Sequence, residues 1–206
     1  MEAGNDPWSE VLLAVRGFYA RKDVAHDLSH ALRVGAWVKK LAREEGVKST
    51  TAELAALVHD IGRPGAAEPS HAGSGAALAE SLLRKCGYSD GVVAEVKAAV
   101  AAHSREAGLE PRTEAAILLY DADKLDFVGP VGLARLFAYG SFRGWPLEGE
   151  NSCESFYRER IRGYYANLGT EAGKRHFAPL LAYMEDFWQK FHTQGLKEED
   201  FGNHIF

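Results

Sequence analysis

The sequence predicts an all-α fold, on three observations. Apolar residues recur at steps of three and four through most of the chain, the period of a helix with one buried face. Alternating β-branched runs, which would mark half-buried strands, are nearly absent. Glycine, proline and capping residues fall at the ends of several of the apolar stripes. With 206 residues, one domain over 1–206 is expected, large enough for a substantial apolar core.

Roughly eight or nine helices fit the pattern. The first is expected over Trp8 to Lys22, with Val11, Leu12, Val15, Phe18 and Tyr19 on one stripe and Ser9 as its cap. The second runs from Ser29 to Glu45 and stops at Gly46, a residue suited to the left-handed turn that closes a helix. The third, Thr51 to Ile61, stops at the Gly62, Pro64, Gly65 cluster. His71 to Cys86 and Gly91 to Ser104 follow, then a helix after Pro111 that carries Ile117 to Phe127, and another over Val131 to Tyr139. Gly140 to Ser152, rich in glycine, aromatic and turn residues, reads as a loop. Thr170 to His192 is the last long helix, with Leu180, Leu181, Met184, Phe187, Trp188 and Phe191 at core spacing and a polar tail behind it.

Hydrophobic residues at 46% and charged residues at 26% are ordinary for a globular protein and point to neither disorder nor a membrane protein. The N-terminal residues Met1 to Ser9 are acidic, unlike a signal peptide, so the cytoplasm is the expected compartment. Cys86 and Cys153 have no further Cys or His at zinc-finger spacing and are expected to be free thiols. A net charge of −5 supplies no global field for a nucleic acid polymer, whereas a small anionic substrate needs only a few cations in one cleft. A homodimer through the apolar C-terminal helix is allowed but not required by the sequence.

Candidate chemistry lies where polar groups prolong apolar stripes. His30 heads a stripe continued by Val34, Trp37, Val38 and Leu41, and His59 and Asp60 adjoin Leu57, Val58 and Ile61. Val93, Val96 and Val100 lead to His103, and Ala116, Leu119 and Tyr120 lead to Asp123. Burying an imidazole or a carboxylate costs several kcal/mol in order of magnitude unless it is paired or bound to a metal. Any one of these residues has a plain reading as a hydrogen-bonded core group; their convergence does not.

In order, His30, the His59-Asp60 pair and Asp123 resemble the H…HD…D pattern of the HD-domain phosphohydrolase superfamily. The likeness extends to three segments, 27–34, 57–63 and 121–126, and covers roughly residues 15 to 140, with a C-terminal helical extension over about 150–195. The neighbouring His26-Asp27 pair reads as a coincidence beside His30. The resemblance implies a divalent metal on His30, His59, Asp60 and Asp123. A mixed imidazole and carboxylate set suits Mn, Fe, Co, Ni or Zn better than Mg, and manganese is favoured. The implied reaction is hydrolysis of a phosphorylated small molecule by metal-activated hydroxide. The Asp121–Asp126 segment and the Gly129–Arg135 stretch behind it resemble bacterial nucleotide pyrophosphohydrolases, which implies a nucleoside triphosphate as substrate.

Under the same resemblance, Asp60, Arg63, Lys124 and Asp126 form the catalytic set. Arg63 and Lys124 are expected to hold phosphates, with Arg33 and Arg143 as further substrate contacts. Asp126 can orient a water, support a metal ligand or meet a sugar, or else pair with Lys124 or another base. Asp27 can hold a ligand imidazole or cap the second helix. His71 and His103 can hold a second metal or contact a substrate phosphate. The aromatic stretch Phe137 to Pro146 can cover the cleft and stack on a nucleobase, or pack as an ordinary surface loop. His176, His192 and His204 are expected at the surface. Two other functions are compatible with the same residues: a di-iron oxygenase, and a non-catalytic domain that senses a nucleotide.

Overall fold

The computed structural model describes residues 6–20, 23–63, 71–104 and 108–194, and among these it is helical without strands. Helix α1 is Pro7–Tyr19. Its cap is Asp6 rather than the expected Ser9: the Asp6 carboxylate accepts from the Trp8 and Ser9 backbone N–H groups at 3.0 and 3.3 Å, and Pro7 fits the first helical position. A short 3-10 turn, Val24–His26, leads into α2, Leu28–Glu45, where Asp27 accepts from the His30 N–H at 2.8 Å and Gly46 closes the helix at φ 73°. Helix α3 is Thr50–Val58, α4 His71–Lys85, α5 Asp90–Ala102 and α6 Glu114–Leu125. Pro64 and Gly65, expected breakers after α3, and the polar tail lie outside the described residues.

The C-terminal third departs most from expectation. Helix α7 spans Gly129–Arg143, four residues beyond the expected end at Tyr139, so the supposed loop begins only at Gly144. Gly140 keeps the helical path because a side chain there would strike the Cys153 sulfur, so its glycine serves packing rather than a turn. Two elements follow inside the expected C-terminal helical extension, though neither was delimited in the sequence: α8, Cys153–Glu159, with a Ser152–Ser155 capping box, and a 3-10 stretch, Ile161–Asn167. Helix α9 is Glu171–Gln194.

Helix α2 lies at the centre, against α3, α6 and α9; α4 pairs with α5, and α7 packs on α9. Val34, Val38 and Leu41 of α2 meet Leu54, Leu57 and Val58 of α3, Val93, Val96 and Val100 of α5, and Leu118 and Leu119 of α6, all buried. The stripes that carry His30, His103 and Asp123 therefore face one interior.

A buried clasp fixes the start of α9. Asp121 of α6 accepts from the Gly169 and Thr170 N–H groups at 2.9 and 2.8 Å and from the Thr170 hydroxyl at 2.6 Å. Asp121→Ala strands two buried Thr170 donors and the Gly169 N–H and is expected to cost about 3 kcal/mol. A urea titration checks this; a loss within ~0.5 kcal/mol would mean the clasp contributes nothing.

Candidate metal centre

The α2 N-terminus, the end of α3 and the last turn of α6 bring four polar side chains to one point in the core. His30, His59, Asp60 and Asp123 are each at most 4% exposed. His30 Nε2 lies 3.1 Å from His59 Nε2, 3.7 Å from Asp60 Oδ2 and 3.4 Å from Asp123 Oδ1. His59 Nε2 is 3.4 Å from Asp60 Oδ2 and 4.0 Å from Asp123 Oδ1.

The other ring nitrogens decide what this arrangement needs. His59 Nδ1 donates to the Ala56 carbonyl at 2.8 Å, and His30 Nδ1 donates to the Asp126 carboxylate at 2.7 Å. With both Nδ1 atoms protonated, two neutral rings present bare lone pairs to each other across 3.1 Å, in company with two carboxylate oxygens. Only a proton or a cation relieves that repulsion. The donor set thus fits a divalent metal: two imidazoles with second nitrogens tied off, and carboxylates around them.

The electrostatics agree. Burial alone would push the Asp60 carboxyl up, but Arg63 and His59 hold it well below the usual range; for Asp123, Lys124 and His30 outweigh burial in the same way. Burial would depress His59, yet the Asp60 and Asp123 charges raise it. Each carboxylate also carries a cation on its outer side, Arg63 Nε at 2.7 Å from Asp60 Oδ1 and Lys124 Nζ at 2.6 Å from Asp123 Oδ2. Lys124 is buried beside the Tyr120 and Tyr164 rings and also donates to the His103 carbonyl.

Asp60 belongs to a second group with His71 and His103, its ligand atoms all within 4.8 Å of one another. His71 opens α4 and His103 follows the end of α5, with ring centroids 5.3 Å apart. His103 Nδ1 donates to the Val100 carbonyl, leaving its buried Nε2 3.6 Å from Asp60 Oδ1. Gly62 permits this approach, since a side chain there would collide with the backbone of Gly75 and His71.

Asp126, which had several roles open to it, and Arg33, expected as a substrate contact, meet each other outside the cleft. Asp126 sits behind His30, takes both Arg33 Nε and Nη2 at 2.8 and 2.9 Å, and lies 3.1 Å from Arg135 Nη1. Of the roles open to it, the geometry is that of support for an imidazole; its basic partners are Arg33 and Arg135, not Lys124. Arg33 is bound up in that pair, beside a groove with Trp37, Lys40 and Val131, and does not reach the cleft. Asp27 caps α2 and leaves the ligand rings to others.

A cleft of about 260 Å³ opens on the centre. Among the described residues, Arg63, Lys124, Arg135, Arg143 and Arg160 line it, with His26, His71 and His103, against the single carboxylate of Asp123. Phe127, Tyr139, Trp145, Phe156 and Tyr164 complete its wall. Arg143 reaches the rim, stacked near Tyr139 and Trp145. His176 and His192 pair with Glu44 and Glu154 away from the cleft, and His204 lies outside the described residues.

Sequence reasoning missed His26, Arg135, Phe156, Arg160 and Tyr164. Arg135 carried a readable signal, a charge on the buried stripe Gly132, Leu133, Leu136, the same signal that singled out Asp123. His26, set aside as a coincidence, is buried in the cleft wall with Nδ1 on Asp23 at 2.7 Å.

Burial and the nearby Arg63 charge push His26 down to about 4, against the pull of Asp23. A histidine in the unfolded chain protonates near 6.5. The unfolded chain therefore takes up the extra proton as pH falls, and stability present above about 6.5 is lost towards 4, by up to about 3 kcal/mol. Urea midpoints of the wild type and His26→Phe at pH 6.5, 5.5 and 4.5 check this: the wild type should fall more steeply, and parallel curves would refute it.

A buried His/Asp cluster inside an all-helical fold, open to a cationic cleft, defines a metal-binding hydrolase class. The HD domain family model matches residues 27–128. A predicted HD superfamily hydrolase from an uncultured Thermotogales bacterium is 30% identical, with 90% of this chain and 91% of that one covered at a TM-score of 0.65. An HD-superfamily hydrolase from Bacillus thuringiensis is 24% identical (90% and 95% covered, TM-score 0.68). The fold is also that of Bacillus subtilis YpgQ, solved in complex with ADP, at 19% identity, 92% and 95% coverage and a TM-score of 0.77. A search of curated proteins returned no match. The chain belongs to the HD-domain superfamily of metal-dependent phosphohydrolases. No described helix is long and apolar enough to cross a membrane.

Proposed function

We propose that the protein is a divalent-metal phosphohydrolase acting on a nucleotide, and within that class a nucleoside triphosphate pyrophosphohydrolase. The observation that carries this reading is the juxtaposition of the His/Asp cluster with a cleft holding five Lys and Arg side chains and one carboxylate. Such a wall suits a polyanion, and the Tyr139, Trp145 and Phe156 rings, which contact one another in series, suit a base. The ADP bound to Bacillus subtilis YpgQ supports the same substrate class.

His30, His59, Asp60 and Asp123 would hold the ion, manganese being favoured by the mixed donor set. When bound, a divalent cation there supplies Lewis acidity and a nucleophile at neutral pH. Asp126 fixes the His30 tautomer, and the Ala56 carbonyl fixes that of His59. Arg63 and Lys124 keep positive charge beside the two carboxylates, where phosphate oxygens would arrive. Arg143 and Arg160 extend that charge towards the aromatic end.

The test is phosphate and pyrophosphate release from a nucleotide panel by metal-stripped protein resupplied with Mn²⁺, Mg²⁺, Ni²⁺ or Zn²⁺. Pyrophosphate release that requires the metal is the expected result; release of phosphate alone would move the reading to another phosphohydrolase. The Asp60, His71 and His103 group favours one second reading, a di-iron oxygenase. Oxygen uptake by iron-loaded protein, with no phosphate or pyrophosphate released, would establish it instead.

A further inference from the structure

Resting on the nucleotide reading, we propose that His26 accepts a hydrogen bond from a sugar hydroxyl of the substrate, so that the cleft distinguishes a hydroxylated sugar from a deoxy one. The argument begins with the ring itself. Its residue is 7% exposed and lines the cleft. Nδ1 lies 2.7 Å from the Asp23 carboxylate, which can only accept, so the ring proton sits on Nδ1 and Nε2 presents a lone pair. No described residue engages Nε2.

That lone pair is out of character with its surroundings. Arg63 and Lys124, beside the Asp60 and Asp123 carboxylates, can only donate, and they answer the oxygens of a phosphate chain. A bare nitrogen acceptor repels the same oxygens and requires a donor from the ligand.

Position identifies the donor. On one side the His26 ring stands edge-on to His30 of the metal centre, with centroids 6.1 Å apart. On the other it stands edge-on to Tyr139 at 5.2 Å, and Tyr139 in turn meets Trp145 at 5.4 Å. His26 thus lies between the end that suits phosphates and the end that suits a base. In a nucleotide the group between phosphates and base is the sugar, and its donors are the 2′ and 3′ hydroxyls. Sites built to bond a hydroxyl discriminate strongly against the analogue that lacks it, because the buried partner is then left unpaired.

The test is calorimetric binding of ADP, 2′-deoxy-ADP and 3′-deoxy-ADP, with Mn²⁺ supplied, to the wild type, His26→Phe and His26→Gln. Phe keeps the ring volume without the acceptor, and Gln offers an amide oxygen near the Nε2 position. Thermal melts establish that both variants are folded. The wild type should bind ADP roughly tenfold or more tightly than one of the deoxy forms, and which form it is names the hydroxyl. His26→Phe should abolish the difference by weakening ADP alone, and His26→Gln should restore part of it. Equal wild-type affinity for all three ligands, or equal weakening of all three by His26→Phe, overturns the inference. Failure of every one of them to bind the wild type sinks the nucleotide reading on which it rests.

Discussion

Asp60→Ala is expected to lower metal-dependent hydrolysis by roughly 10³-fold or more and to remove most bound metal. Asp60 is the one residue common to both candidate ligand groups, with Oδ2 towards His30 and His59 and Oδ1 towards His103. Among the described residues, no neighbouring carboxylate is placed to move into its position: Asp123 is already drawn to Lys124 at 2.6 Å, and Asp126 is locked behind His30. Loss of the charge also removes the carboxylate that Arg63 Nε meets at 2.7 Å. Asp60→Asn separates charge from shape, since it keeps the volume but weakens one ligand; it should retain the fold and lose nearly as much activity. Metal content by elemental analysis, together with pyrophosphate release, checks both variants. A variant that kept a full metal load and more than a tenth of the activity would show that Asp60 is not a ligand.

The candidate metal centre was legible because its residues break a pattern. His30, His103 and Asp123 prolong apolar stripes, and the structure buries each stripe against the same interior. Helix α2 could be bounded to within a residue because Gly46 needs a left-handed turn there. The far wall of the cleft was not legible. Gly140 looks like a turn residue in sequence, yet it is needed by the sulfur of a cysteine thirteen positions on, and no local rule reveals such a contact. Helix α8 is only 7 residues long and its apolar side chains pack on α7, so its periodicity is too short to read. Phe156, Arg160 and Tyr164 were lost with it. The acids of the 121–126 segment illustrate a different limit. Asp121, Asp123 and Asp126 are equivalent as letters, but they clasp α9, join the metal centre and support His30, respectively. A two-residue step turns Asp121 away from Asp123, and Asp126, one turn beyond Asp123, caps the end of α6, so only the neighbours at each position decide what a carboxylate does there.

That separation makes Asp126→Ala the most damaging change outside the four candidate ligands, with two effects that can be measured apart. The first is on stability. Asp126 is 2% exposed and faces three cationic or ring donors: His30 Nδ1 at 2.7 Å, Arg33 at 2.8 Å and Arg135 Nη1 at 3.1 Å. Arg135 is itself buried and retains only the Ala25 and Asp126 backbone carbonyls when the carboxylate goes. Removing one partner from such a buried set costs about 3–5 kcal/mol, because the remaining charge stays desolvated. The second effect is on the metal. Without its acceptor, His30 is free to rotate and to move its proton to Nε2, the nitrogen that faces the other ligands, and metal affinity should fall by roughly 10–100-fold. Urea titration with chelator present reads the first effect, and calorimetric metal titration of the folded variant reads the second. Asp126→Asn should recover part of the stability, since its amide oxygen can still accept from His30 or Arg33, while its NH₂ opposes the other donor. A large loss of stability with unchanged metal affinity would leave Asp126 as a packing residue and remove His30 from the ligand set.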